Sequence, residues 1–212
     1  MREKIVLIDG HSILNRAFYG LPDLTNAEGL HTNAIYGFLN ILFKILDEEN
    51  PQYLTVTFDV HAPTFRHEMY EQYKGTRKPM AEELRQQVPV IKEVLQAMQI
   101  ATIEQAGLEA DDLLGTISVD CEAKGLDVSI ISGDRDTLQL ATEHVKIRIP
   151  KTKQGKTEIE DYYAADVLEK YGVTPEEFID VKALMGDTSD NIPGVPGLER
   201  RLRQKLSRSI KI

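Results

Sequence analysis

Three short apolar runs, each followed within a few residues by aspartate, set the terms for any fold of this chain. Residues 4–8 (Lys-Ile-Val-Leu-Ile) lead into Asp9, residues 54–58 (Leu-Thr-Val-Thr-Phe) into Asp59, and residues 128–131 (Val-Ser-Ile-Ile) into Asp134 and Asp136. Runs of this length, rich in β-branched residues, predict buried strands. Between them lie stretches with helical apolar spacing. Residues 12–18 form one, with Ser12 as its expected N-cap, and residues 33–46 another. Residues 81–98 carry Pro89, which should kink or divide that helix. Residues 111–124 end at Gly125, a C-terminal stop. Further on, the pattern predicts a helix over 136–141, a strand over 145–149, and helices over 162–171 and 175–185, the last capped by Thr174. Strands alternating with helices predict an α/β fold with a mainly parallel, doubly wound sheet. In such a sheet ligands bind beyond the carboxyl ends of the strands, where these acids fall.

Two further clusters, Glu109-Ala110-Asp111-Asp112 and Asp187-Thr188-Ser189-Asp190, stand at expected helix starts. Glu109 and Asp112 are three apart and share a helix face, as do Asp187 and Asp190; Asp134 and Asp136 fall on one side of an extended segment. Each cluster alone reads more readily as a helix cap. Their common placement at strand ends is what capping does not require. Carboxylates sharing one crevice repel unless a cation neutralises them, and an all-oxygen donor set selects Mg²⁺ or Mn²⁺. The expectation is divalent metal held against a phosphate.

The formal net charge is −9, whereas a nucleic-acid partner usually calls for a basic footprint. The nine carboxylates just named account for all of it, so the remaining surface is neutral overall. Solubility alone would also explain an acidic chain. One cysteine, Cys121, excludes an internal disulfide and a thiolate metal site and fits a cytoplasmic protein. The five histidines lack zinc-site spacing, and neither a nucleophile elbow nor a Walker-type phosphate loop is present. The start of the chain shows no signal peptide, and no stretch is long and apolar enough to span a bilayer. Metal-activated water is the nucleophile left.

Between residues 61 and 80 the chain is basic and aromatic: Arg66, Lys74, Arg77 and Lys78 alternate with Phe65, Tyr70 and Tyr73. Cations suit phosphates and rings suit unstacked bases, although a solvated loop with structural tyrosines has the same composition. Beside the acid clusters, a strand-guiding arch is the expectation, with Lys74 stabilising transition-state charge and Tyr73 stacking a terminal base.

The ordered set Leu7-Ile8-Asp9-Gly10-His11-Ser12, Phe58-Asp59, Tyr73-Lys74-Gly75-Thr76-Arg77, Glu109-Ala110-Asp111-Asp112, Gly133-Asp134-Arg135-Asp136 and Gly186-Asp187-Thr188-Ser189-Asp190-Asn191-Ile192-Pro193-Gly194 resembles the 5′-nuclease (flap endonuclease) family found at the N-terminus of bacterial DNA polymerase I. The resemblance runs from about residue 4 to Gly197. It implies a PIN-like core over 1–185, with an arch at about 61–98, and a helix–three-turn–helix DNA-binding region over 186–212. It implies that Asp9, Asp59, Glu109, Asp111, Asp112, Asp134, Asp136, Asp187 and Asp190 surround two or more Mg²⁺ ions, some through water, with Mn²⁺ as a substitute. Lys74, Arg77, Asp134 and Asp136 would be catalytic. Arg16, Arg66, Tyr73, Lys74, Arg77, Lys78, Gly194 and Gly197 would contact DNA. The implied reaction is hydrolysis of a DNA phosphodiester near a 5′ end, a flap or a single-strand/duplex junction, leaving a 5′-phosphate. The implied protein is a cytoplasmic monomer with no membrane partner, and a polymerase domain would belong to the intact gene.

After Gly197 the resemblance stops. A family-type continuation beginning Gly-Leu-Gly-Glu-Lys-Thr becomes Gly-Leu-Glu-Arg-Arg-Leu when one G is lost from a GGA codon, and the shifted frame goes on to reproduce residues 198–212. A one-base frame slip in a longer gene is therefore expected, against the alternative of a natural basic tail that contacts phosphates. A slip would remove most of the duplex-gripping motif and its K⁺ site, and would weaken flap cleavage while sparing the metal acids. Two other readings compete: a non-catalytic nucleic-acid-binding module, and a PIN-like ribonuclease, which would need no arch.

Overall fold

The computed structural model describes residues 2–153 and 156–197; the tail at 198–212, and with it the frame-slip reading, lies outside the described residues. Six strands form one sheet in the order β3-β2-β1-β4-β5-β6. They are β1 (Lys4–Asp9), β2 (Tyr53–Thr57), β3 (Ala101–Ile103), β4 (Asp127–Ile131), β5 (Val145–Lys153) and β6 (Lys156–Tyr162). All neighbouring pairs run parallel except β5 and β6, which form an antiparallel hairpin. The central strand β1 is flanked on both sides, hence its unbroken apolar sequence. Its side chains alternate between two cores: Val6 and Ile8 pack on one face of the sheet, Ile5 and Leu7 on the other.

Helices α1 (Gly10–Gly20), α2 (Asn33–Glu49) and α5 (Gln87–Ala97) cover the first face. In α2 the residues Ala34, Phe38, Ile41, Leu42 and Ile45 make the apolar stripe. Helices α6 (Ala110–Ala123), α7 (Ala164–Tyr171) and α8 (Pro175–Met185) cover the second. Two short helices, α3 (Phe65–Met69) and α4 (Glu82–Arg85), lie in the connection between β2 and α5. The chain breaks between α4 and α5 at Gln86, three residues before Pro89, because the proline ring clashes with the preceding turn. Leu84, Ile91 and Leu95 belong to the core. Helices α4 and α5, counted in the expected arch at about 61–98, are therefore packed into the core.

Several expectations change. The cap of α1 is Asp9, whose side chain accepts from the Ser12 backbone N–H; the helix accordingly starts two residues before Ser12. The span 135–140 is a 3₁₀ helix. Tyr162 ends β6 instead of starting α7, and β3 and β6 were not anticipated. Thr174 caps α8 as expected. The strand order reverses direction between β1 and β4, and that is where an open α/β sheet forms its ligand crevice.

Candidate metal centre

The end of β1 delivers Asp9 to this crevice. Asp9 is only 8% exposed; its Oδ1 accepts from the Ser12 N–H at 3.0 Å and its Oδ2 from the Ser132 hydroxyl at 2.9 Å. Burial, reinforced by the charges of Asp59 and Asp134, pushes its pKa up to about 7. Asp59 follows β2 and accepts from the Ala110 N–H at 2.7 Å, capping the first turn of α6. The Asp59 N–H in turn donates to His11 Nδ1 at 3.1 Å, which leaves the imidazole proton on Nε2. After β4, Asp134 caps the 3₁₀ helix by accepting from the Asp136 N–H at 2.9 Å.

Glu109, Asp111 and Asp112 enter from the N-terminus of α6. Glu109 and Asp112 form a capping box, so the capping alternative is realised. It coexists with the cleft. Asp9, Asp59, Glu109, Asp111, Asp112, Asp134 and Asp136 all line one cavity of about 420 Å³, together with Arg66, Lys74 and Arg77. The Asp111 pKa rises to about 6, through burial and then through Asp112 and Glu109. Asp136 is also raised, first by burial.

Cations hold this acid wall. Arg66 grips Asp112 with two hydrogen bonds of 2.8 Å, the planar fork matching the carboxylate. Lys74 Nζ lies 2.6 Å from Glu109 Oε1. Arg77 pairs with Asp190. Lys182, at the end of α8, bridges Asp136 at 2.9 Å and Asp187 at 3.2 Å. Asp187 also accepts from Ser189, and its pKa falls to about 2: those bonds and Lys182 outweigh the burial that would raise it. Asp187 and Asp190 do not line the cavity: Asp190 stands behind Arg77, and Asp187 behind Lys182 and Asp136.

Among the described residues no three acidic, imidazole or thiol groups form a ready cage for a metal; Glu109, Asp112 and Asp136 are each paired with a cation. The donor chemistry nonetheless fits a hard cation. Seven carboxylates share one cleft, and two of them are driven towards protonation, first by burial and then by their acidic neighbours.

Tyr73 corrects an expectation. It is 5% exposed, its ring packs edge-on against His67, and its hydroxyl is shared by Glu109 at 2.9 Å and Asp190 at 3.0 Å. It offers no face to a base. Lys78 is exposed and does not line the cleft. Arg16 lines an adjoining groove with Asn15, Tyr19 and Lys151. Gly194 sits where the chain crosses back over Met185, and a Cβ there would overlap the Met185 carbonyl; Gly197 has φ +80°. Sequence reasoning missed Ser132 and Lys182. Ser132 could have been found from its place just after β4. Lys182 carried no signal, since a lysine on a helix reads as solvated.

An open parallel sheet with an all-oxygen acidic cleft at its switch point, faced by arginine and lysine, is suited to hold a hard cation beside a phosphate. A sequence profile described as "5'-3' exonuclease, N-terminal resolvase-like domain" matches residues 4–172, and the chain belongs to that family. DNA polymerase I of Bacillus caldotenax is 50% identical over 208 residues, covering 98% of this chain and 24% of the relative. The chain thus spans about a quarter of that protein's length. A bacteriophage T5 5′-exonuclease described with divalent zinc ions bound superposes with a TM-score of 0.73 at 26% identity, over 97% of this chain and 75% of the other. A T5 flap endonuclease, described as a complex with DNA and metal ions, superposes equally at 0.73 and 24% identity, with the same coverage, and shares the fold.

Proposed function

We infer that this chain is the catalytic part of a structure-specific 5′ nuclease that hydrolyses DNA phosphodiesters at 5′ ends, flaps or single-strand/duplex junctions. One observation carries the reading. Acids from the ends of β1 and β2, from the turn after β4 and from the start of α6 converge on the cavity that Arg66, Lys74 and Arg77 face. The metal-bearing and DNA-bound T5 relatives support it.

Divalent cations, Mg²⁺ or Mn²⁺, would be held by Asp9, Asp59, Glu109, Asp111, Asp112, Asp134 and Asp136, with Asp187 and Asp190 behind. When bound they supply the Lewis acidity that activates water and offsets phosphate charge. The chain's own residues do the rest. Ser12 and Ser132 fix the Asp9 carboxylate in one orientation. A phosphate entering the cleft offers Arg66 and Lys74 a second anionic partner besides Asp112 and Glu109. The Arg66 fork matches two phosphate oxygens, and the flexible Lys74 ammonium can follow charge as it builds on the scissile group. The DNA polymerase I relatives support a following polymerase domain in the intact gene; a monomeric state and a cytoplasmic setting are proposed with it. The K⁺ site of the duplex-gripping motif would lie beyond Gly197, outside the described residues, and would be lost with the frame slip.

The test is a 5′-flap DNA duplex incubated with the protein, with Mg²⁺ or with EDTA. Cleavage that needs Mg²⁺ and is abolished by Asp134→Asn supports the proposal. Binding of the flap without cleavage, indifferent to that substitution, would establish a binding module instead.

A further inference from the structure

The backbone of Lys74 sits where a lysine does not rest unaided. Its φ is +55°, in the left-handed region that non-glycine residues seldom occupy. The turn at 187–191 imposes that conformation. The Lys74 N–H donates to the Asp190 carbonyl at 2.9 Å, Arg77 Nε donates to the Ser189 carbonyl at 3.1 Å, and Asn191 Nδ2 donates to the Gln72 carbonyl at 2.9 Å. The Gln72 carbonyl also accepts the Gly75 N–H at 3.0 Å, so it is the acceptor around which the Lys74 turn closes. Asn191 itself has φ +60°, a conformation that asparagine tolerates better than most residues.

We propose that Asn191 is a positioning residue: its side-chain amide clamps the 72–77 turn and so keeps Lys74 Nζ in the cleft beside Glu109. Its acidic neighbours cannot take this part. Asp187 accepts from Ser189 and Lys182, and Asp190 accepts from Tyr73 and Arg77. A carboxylate has no proton to give a carbonyl; the amide of Asn191 does. In sequence Asn191 reads as part of the acid motif, whereas in the fold it serves the cation opposite. The catalytic consequence rests on the nuclease reading, but the clamp itself does not.

Two variants test it. Asn191→Gly keeps the left-handed backbone and removes the amide; Asn191→Asp keeps the size and replaces the donor by an acceptor. The first readout is acylation by an N-hydroxysuccinimide ester, followed residue by residue by mass spectrometry in metal-free protein. Lys74 should label several-fold faster in both variants, while the exposed Lys78 labels at the wild-type rate. The second is cleavage of a 5′-flap duplex with Mg²⁺. Asn191→Gly should lower kcat by about tenfold with little change in KM, and should add no further loss in a Lys74→Ala background. Unchanged Lys74 labelling, or equal losses in both backgrounds, would overturn the clamp. Should the wild-type protein cleave nothing, the nuclease reading fails and the labelling still decides the role of Asn191.

Discussion

Asp9 concentrates the electrostatic problem of the site in one side chain. Its pKa lies at about 7 because burial disfavours its charge, against an unfolded value near 3.8. In the fold it therefore keeps a proton that the unfolded chain has already lost, and stability falls as pH rises through 7. Between pH 6.5 and 8 the metal-free protein should lose about 1 kcal/mol on this account. Urea unfolding in EDTA should show that slope, and Asp9→Asn should flatten it. A slope unchanged in the variant would place the titration elsewhere. Lys74 gives the complementary prediction. Lys74→Ala removes a cation aimed at developing charge and should lower kcat on flap DNA by about a hundredfold. Mn²⁺ affinity should not fall, because the lysine neutralises Glu109 instead of helping a metal. A weaker Mn²⁺ site in Lys74→Ala would show that the lysine organises the acids.

Among the elements, the β1–α1 turn has the least room. A Cβ on Gly10 would overlap the ring of Phe58, the residue before Asp59, so the two metal-side aspartates approach only because Gly10 has no side chain. Gly10→Ala should cost about 2 kcal/mol in stability and weaken Mn²⁺ binding by displacing Asp59. A stable variant with intact Mn²⁺ affinity would break that link. The strands β1, β2 and β4 were legible in sequence because burial on both faces leaves continuous apolar runs. β3 was not, being three residues long and exposed. β6 was hidden because Lys156–Tyr162 is a polar hairpin arm paired to β5, and its register comes from a partner that no local pattern reveals. The acids were legible through their position after strands. The burial of Tyr73 was not, since it depends on the turn at 187–191, more than a hundred residues away. The bridge from Lys182 to Asp136 was hidden because the two residues lie on separate elements and a helix lysine reads as solvated.

At the scale of the whole molecule, a second charge cluster accompanies the acidic cleft. Outside the cleft, Glu49 on α2 pairs with Lys4 at 2.7 Å, Lys146 at 2.7 Å and Arg148 at 2.8 Å, and Arg148 also holds Glu48 and Asp161. Arg148 is 6% exposed, so Arg148→Ala leaves acids underneath without their partner and should cost about 3 kcal/mol. Urea denaturation measures this, and Mn²⁺ binding should stay unchanged; coupled losses would mean that the two clusters are not independent. At the cleft end, acids from separate elements meet and their repulsion awaits a cation. That claim is tested most directly by titrating the purified chain with Mn²⁺, read by electron paramagnetic resonance, in the wild type and in Asp134→Asn. The account predicts about two bound ions per chain, with affinity at least about tenfold lower when the single acid after β4 is neutralised. No bound Mn²⁺, or binding indifferent to that substitution, would contradict it.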